Sequence, residues 1–336
     1  MYIGTQGVPH DDDSLKVLSQ LGVNNIAQSP SEPWSEWSTD LLVSMREKCD
    51  SYGIRMEMMH LPLSGRVAIP GNLDNPQNEN EAGAIFLGAS DERERAIDRV
   101  CETIRMAGEA GLRGLMYNIT ILGHMRTEST KGRGGSELST FVFDELDQSK
   151  GEFEQGAADT DTMFERIDYW LQKVIPVAEE YKVQMGCHPS DPGIGMNNTY
   201  RGVARPLGMP DGFKKFIELY DSPYNGLNFC QGCMSEALEN PGEEIFDVIR
   251  YFGERKKIFN VHFRNIKGGL NNFSEVFPDE GDIDMLKALQ VYKDVGYEYM
   301  IMPDHVPRMS GPAAREVGFA YSYGYIHAAM QVVESS

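Results

Sequence analysis

The feature that most limits how this chain can fold is a repeated switch in hydrophobic period. Short apolar runs at 2–5, 23–27, 54–59, 113–118, 183–187, 225–230, 258–262 and 299–303 have the length of buried strands. Between them lie charge-rich stretches with apolar positions at helical spacing, roughly 12–22, 38–52, 90–110, 161–182, 210–220, 241–254, 282–296 and 313–333. Asp, Ser or Thr marks the predicted helix starts, as in Ser90-Asp91-Glu92, Asp159-Thr160-Asp161 and at Asp282, and Gly marks ends, as at Gly111 and Gly296. Eight strands alternating with eight helices predict a (β/α)₈ TIM barrel in a single catalytic domain spanning 1–336. A doubly wound open sheet is the alternative, but no G-x-G-x-x-G follows the first strand.

Two long insertions interrupt the spacing. Residues 61–89 are rich in Pro, Gly and Asn, and residues 119–160 hold Lys131-Gly132-Arg133-Gly134-Gly135 followed by an acidic tract. Both follow strands, so both belong over the catalytic mouth of a barrel, where the 119–160 loop is expected to act as a mobile lid. A formal net charge of −20 argues against nucleic acid or an anionic membrane as partner. It leaves an anionic small molecule open, because charges inside a pocket override the global field. No apolar stretch approaches 18 residues, and Met1 leads straight into a strand-like Tyr2-Ile3-Gly4, so a cytoplasmic location is expected. Self-association into a homo-oligomer is compatible with this composition.

The chemistry-bearing residues fall at the ends of the last four predicted strands. They are Cys187-His188-Pro189, Phe229-Cys230-Gln231-Gly232, Val261-His262-Phe263-Arg264-Asn265 and Met302-Pro303-Asp304-His305. Taken alone, each has an ordinary structural explanation: a core histidine, a small buried cysteine, a helix cap. Placed on successive parallel strands, the side chains of His188, Cys230, His262 and Asp304 enter one cup. Two imidazoles, a thiolate and a carboxylate form a mixed-donor set for a divalent transition metal. A closed tetrahedral cage would suit structural zinc, whereas an open site at a barrel mouth leaves positions for substrate oxygens and favours Mn²⁺ or Fe²⁺. Cys230 and Cys233 also form a C-x-x-C, for which a redox pair is the competing reading.

These segments, in this order, resemble the mannonate dehydratase family, within the wider group of xylose-isomerase-like barrels. The likeness runs from the N-terminal strand and Asp11-Asp12-Asp13 through Tyr117-Asn118, Arg126-Thr127 and the His-Pro-x-Asp-Pro turn at 188–192. It continues through Phe-Cys-x-Gly at 229–232, Val-His-x-Arg-Asn at 261–265, Gly281-Asp282-Ile283-Asp284-Met285 and Pro303-Asp304-His305. The resemblance implies that His188, Cys230, His262 and Asp304 ligate the metal. It also implies that the reaction removes water from D-mannonate to give 2-keto-3-deoxygluconate. Such a reaction needs a Lewis acid beside the substrate carboxylate, a base for the C2 proton and an acid for the departing hydroxyl. His305 is the candidate for proton transfer, with His60 and His124 behind it. Arg264 and Arg126 are suited to gripping a carboxylate, and Tyr117, Asn118, Asn265 and His60 to binding sugar hydroxyls.

The chain departs from the family at its last strand. Met302-Pro303-Asp304-His305-Val306 stands where members usually show Arg-Pro-Asp-His-Gly, and the position of a family tyrosine a little further on falls near Ser310. Tyr321, Tyr323 and Tyr325 lie on the last helix and are expected to be packing residues. A sugar-acid isomerase or epimerase on the same donors is therefore an alternative, and a non-catalytic sugar-acid-binding barrel a more distant one.

Overall fold

The computed structural model describes residues 1–63, 84–153 and 156–335. Nine parallel strand segments run β1 (Tyr2–Ile3), β2 (Thr5–Gln6), β3 (Asn25–Ala27), β4 (Arg55–His60), β5 (Gly114–Asn118), β6 (Gln184–His188), β7 (Asn225–Cys230), β8 (Ile258–His262) and β9 (Met300–Met302). From β2 to β9 each pairs with its neighbour in sequence, and β1 pairs with β9. Since β1 and β2 are two halves of one strand split at Gly4, the row of strands closes on itself as a nearly complete barrel. A Cβ on Gly4 would sit 2.6 Å from Met300 Sδ, so the split marks a close approach of the first and last strands.

The helices ring this barrel: α1 (Asp12–Gln20), α2 (Thr39–Ser51), α3 (Asp91–Glu109), α4 (Thr160–Tyr181), α5 (Pro210–Leu219), α6 (Gln231–Glu236), α7 (Pro241–Glu254), α8 (Met285–Asp294) and α9 (Ala314–Ser335). Side chains at Asp11, Ser38, Ser90, Asp159 and Asp284 accept the backbone N–H three residues on, satisfying donors that a helix start leaves orphaned. The cap of α8 is Asp284 rather than the expected Asp282. The Asp282 carboxylate is taken up by the Gly268 N–H (2.8 Å), and Asn265 holds Ile283 in a non-helical loop.

Strand alternation divides the core in two. Ala27, Met58, Met116, Phe259, Met300 and Met302 fill the barrel interior as a cluster of their own, the flexible methionines taking up the taper. Residues of opposite parity pack outward against the helices in one continuous core. The bottom of the barrel is closed by the buried Glu57, which accepts from Tyr2 Oη (2.8 Å) and Arg113 Nε (3.1 Å).

The 119–160 insertion carries strands of its own. Thr130–Lys131 pairs with Glu137–Leu138, and Thr140–Val142 adds to the hairpin of Asn265–Gly269 and Asn272–Val276 as a three-stranded antiparallel sheet. Phe141 packs on Phe273, ring centroids 5.7 Å apart, so this part of the insertion is a built wall beside the barrel mouth. The hairpin and the short α6 were absent from the sequence reading because their segments are too short and polar to show a period. Most of the 61–89 insertion lies outside the described residues. Among the described residues no helix is long and apolar enough to cross a membrane.

Candidate metal centre

The ends of β6, β7 and β8 and the turn after β9 bring His188, Cys230, His262 and Asp304 together, with one ligand atom from each lying within 4.8 Å of the others. His188, Cys230 and His262 are buried, and the Asp304 side chain retains 11% exposure. His188 Nδ1 lies 2.8 Å from the Pro189 carbonyl, which only accepts, so that nitrogen carries the proton and Nε2 keeps the lone pair. The Asn118 amide stands 3.2 Å from the same Nδ1. His262 Nδ1 is buried, has no hydrogen-bond partner and lies 3.4 Å from Asp304 Oδ1. Burial raises the Cys230 thiol, but Cys233 and the Arg264 guanidinium outweigh it and hold the pKa well below the usual thiol range. Burial opposes charge on His262, yet Asp304 and then Cys230 lift it to about 9, so the donor set draws positive charge to itself. A cysteine sulfur, a carboxylate, two imidazoles and a buried ring nitrogen without a hydrogen-bond partner fit a divalent cation.

Beside the donors lies a buried ionic network. Arg264 bonds Glu236 Oε1 (2.7 Å), Glu275 Oε1 (2.8 Å) and Cys233 Sγ (3.2 Å). Gly232 makes room for it, since a Cβ there would overlap Arg264 Nε. Arg126 grips Asp191 with both terminal nitrogens, reaches Glu275, and donates from Nε to Ser139 Oγ (2.7 Å). Burial opposes charge on all three carboxyls, with different outcomes. Arg126 and Arg264 hold Asp191 well below the carboxylate range, and Arg264, then His305 and Arg126, hold Glu275 at about 2. Burial and the neighbouring Asp191 push Glu236 well above that range despite both arginines. The two guanidiniums thus face three buried carboxyl groups, two held down and one, Glu236, pushed up.

His305 stands at the junction of the two parts. Its Nδ1 lies 2.7 Å from Glu275 Oε2, and its Nε2 lies 2.7 Å from Arg264 Nη1 and 3.3 Å from Asp304 Oδ2. Although 43% of the side chain is open, it is crowded by protein on most sides, and this desolvation opposes its charge. Asp304 and Glu275 prevail and raise its pKa. With Arg126, Ser129, Glu137, Ser139, Glu275 and Arg308, it lines a cavity of about 280 Å³.

Several residues proposed for substrate contact have other work. Tyr117 faces the helices, its ring 5.6 Å from that of Trp170, because its neighbours Met116 and Asn118 take the inward positions of β5. Asn265 has both amide hydrogens on the carbonyls of Pro278 and Ile283 and its oxygen on the N–H of Ile266 and Ile283, so it clamps a loop. Arg264 and Arg126 serve as counter-ions to buried carboxylates, and the substrate-gripping role expected of them has no free fork to act through. His60 reaches the cup, where it bonds Gln6, and burial followed by His262 and His188 lowers it to about 4. His124 is exposed. The sequence reading missed Gln6, Asp191, Glu236 and Glu275. Asp191 and Glu236 lie within a few residues of the candidate ligands His188 and Cys230, and that proximity was the available signal.

A parallel barrel with a mixed nitrogen, sulfur and oxygen donor set at the carboxyl end of its strands defines a xylose-isomerase-like TIM barrel with a candidate metal centre. The solved mannonate dehydratase from Streptococcus suis serotype 2 shares this fold, with a TM-score of 0.79 at 20% identity over 99% of this chain and 95% of that one. A xylose isomerase domain protein from Planctomyces limnophilus superimposes with a TM-score of 0.60 at 14% identity, over 99% of this chain and 98% of that one. In sequence, the mannonate dehydratase of Thermotoga petrophila is 27% identical over 92% of this chain and 89% of its own length. That of Enterococcus faecalis is 31% identical over 66% and 69%. The family model for D-mannonate dehydratase (UxuA) matches residues 135–334. The chain belongs to the D-mannonate dehydratase family, which is a family of hydro-lyases.

Proposed function

We propose that the protein is a metal-dependent dehydratase that converts D-mannonate to 2-keto-3-deoxy-D-gluconate and water, or acts on a closely related aldonate. The observation that carries this reading is the meeting of His188, Cys230, His262 and Asp304 beside His305, in a chain of this family. A divalent cation on those four residues, Mn²⁺ or Fe²⁺ by its donors, supplies Lewis-acid stabilisation of charge beside the substrate carboxylate.

The protein's own groups manage the protons. Glu275 orients His305 through Nδ1, which leaves Nε2 as the nitrogen that exchanges protons. His305 takes the C2 proton, the C3–O bond breaks, and the same imidazole returns the proton to the departing hydroxyl as water. The enol then gains a solvent proton at C3 while its C2 hydroxyl releases one to solvent, and becomes the 2-keto-3-deoxy acid. The cavity of about 280 Å³ has room for the polyol end, with Ser129, Ser139 and Glu137 to meet hydroxyls.

One observation favours a second reading, a sugar-acid isomerase or epimerase. The last-helix phenols that could replace the family tyrosine are engaged elsewhere: Tyr323 Oη with Thr5 (2.6 Å) and the Tyr321 ring against Phe277. Proton NMR of Mn²⁺-loaded protein with D-mannonate in D₂O separates the two. Dehydration yields a keto acid with one deuterium at C3, whereas epimerisation yields a C2-deuterated aldonate with no loss of water. Accumulation of the second product alone would overturn the dehydratase reading.

A further inference from the structure

Gln6, at the end of β2, touches three members of the cup with one amide. Its Oε1 lies 2.9 Å from His60 Nε2 and 3.1 Å from His262 Nε2, and its Nε2 donates to Asp304 Oδ1 at 3.1 Å. The amide has only one workable orientation. Asp304 carries a carboxylate, which accepts and does not donate, so the NH₂ group must face it and the oxygen must face the two imidazoles. An accepting oxygen there requires a proton on Nε2 of both rings. In the neutral ring that metal ligation requires, this puts the lone pair of His262 on Nδ1, the buried, partnerless nitrogen that lies 3.4 Å from Asp304 Oδ1 among the four converging side chains.

From this geometry we infer that Gln6 is the positioning residue of the metal centre: it sets the tautomer and ring orientation of His262 while holding the Asp304 carboxylate in place. Partners that orient metal-bound imidazoles and carboxylates are worth about 10–100-fold in affinity. No other described side chain bonds both His262 and Asp304 through opposite ends of one group. His60 Nε2 shares the same oxygen at 2.9 Å. The assignment rests on the metal reading above.

The test uses Mn²⁺ alone as probe, with free Mn²⁺ followed by electron paramagnetic resonance as the full-length protein is titrated. Gln6→Met keeps the length and shape of the side chain but removes both hydrogen-bonding ends. We expect its Mn²⁺ dissociation constant to rise about 10–100-fold over the unaltered protein, and Gln6→Glu, which restores the accepting oxygen for the two rings but not the donor to Asp304, to recover only part of that loss. A purely space-filling role would leave Gln6→Met unchanged. A folded Gln6→Met within threefold of the unaltered protein overturns the assignment of Gln6 and leaves the metal reading intact. Should Gln6→Met not fold, Gln6→Ala replaces it under the same criterion. Unaltered protein that binds no more Mn²⁺ than His262→Ala overturns the metal reading, and the Gln6 assignment falls with it.

Discussion

The network of Arg126, Arg264, Asp191, Glu236 and Glu275 makes a prediction in which two similar substitutions have opposite consequences. Glu275 is almost fully buried and accepts from both arginines and His305. Its pKa is held down at about 2 against an ordinary 4.5. A depressed carboxyl contributes stability that is present above its unfolded pKa and lost as pH falls towards the folded one. A drop from 4.5 to about 2 corresponds to roughly 3 kcal/mol at neutral pH, the gap closing between about pH 4.5 and 2. Glu275→Gln removes that charge and leaves the two guanidiniums with one anionic partner fewer, so a cost of roughly 3–5 kcal/mol is expected at pH 7. Glu236 has the reverse sign. Burial and then Asp191 push its pKa up, so folding disfavours its ionised form and the carboxyl contributes less stability as pH rises. Glu236→Gln mimics the protonated state, keeps the acceptor for Arg264, and puts a donor where Oε2 already has no partner. Its effect should lie between neutral and stabilising, within about 1 kcal/mol of the unaltered protein. Urea unfolding of metal-free protein at pH 7 and at pH 3.5 measures both. Equal costs for the two variants, or a Glu275→Gln penalty that does not shrink in acid, would refute this assignment of charge.

His262→Ala should bind no Mn²⁺ at the site and lose turnover, as should the unaltered protein after chelation; full occupancy in that variant would remove His262 from the donor set. His305→Asn should retain Mn²⁺ and lose about 10²–10⁴-fold in kcat, together with exchange of the substrate C2 proton with D₂O, and near-normal exchange would make His305 only an orienting group. Tyr117→Phe should change KM by less than about twofold and stability by under about 1 kcal/mol, because its hydroxyl is partnerless and turned towards the helix layer; a large rise in KM would return Tyr117 to the substrate.

The sequence by itself determined the barrel, because strand and helix periods alternate throughout and each strand is long and apolar enough to declare itself locally. It also determined which four side chains converge at the candidate metal centre, since side chains at the ends of parallel neighbouring strands meet whatever the details of packing. What only the tertiary structure decided was how polar residues near the cup divide their work. Tyr117 and Asn118 are adjacent in sequence, yet pleating turns one towards Trp170 and the other towards His188. Arg264 and Arg126 read as substrate clamps until Glu236, Glu275 and Asp191, from distant segments, are seen to occupy their forks. Gln6 was invisible because its importance comes from closure of the barrel, which brings the second strand segment against residues nearly the whole chain away, His262 and Asp304. Local patterns follow from nearest-neighbour sterics and burial period, whereas the choice among hydrogen-bond partners depends on which groups share a desolvated volume, and only closure of the barrel assembles that volume.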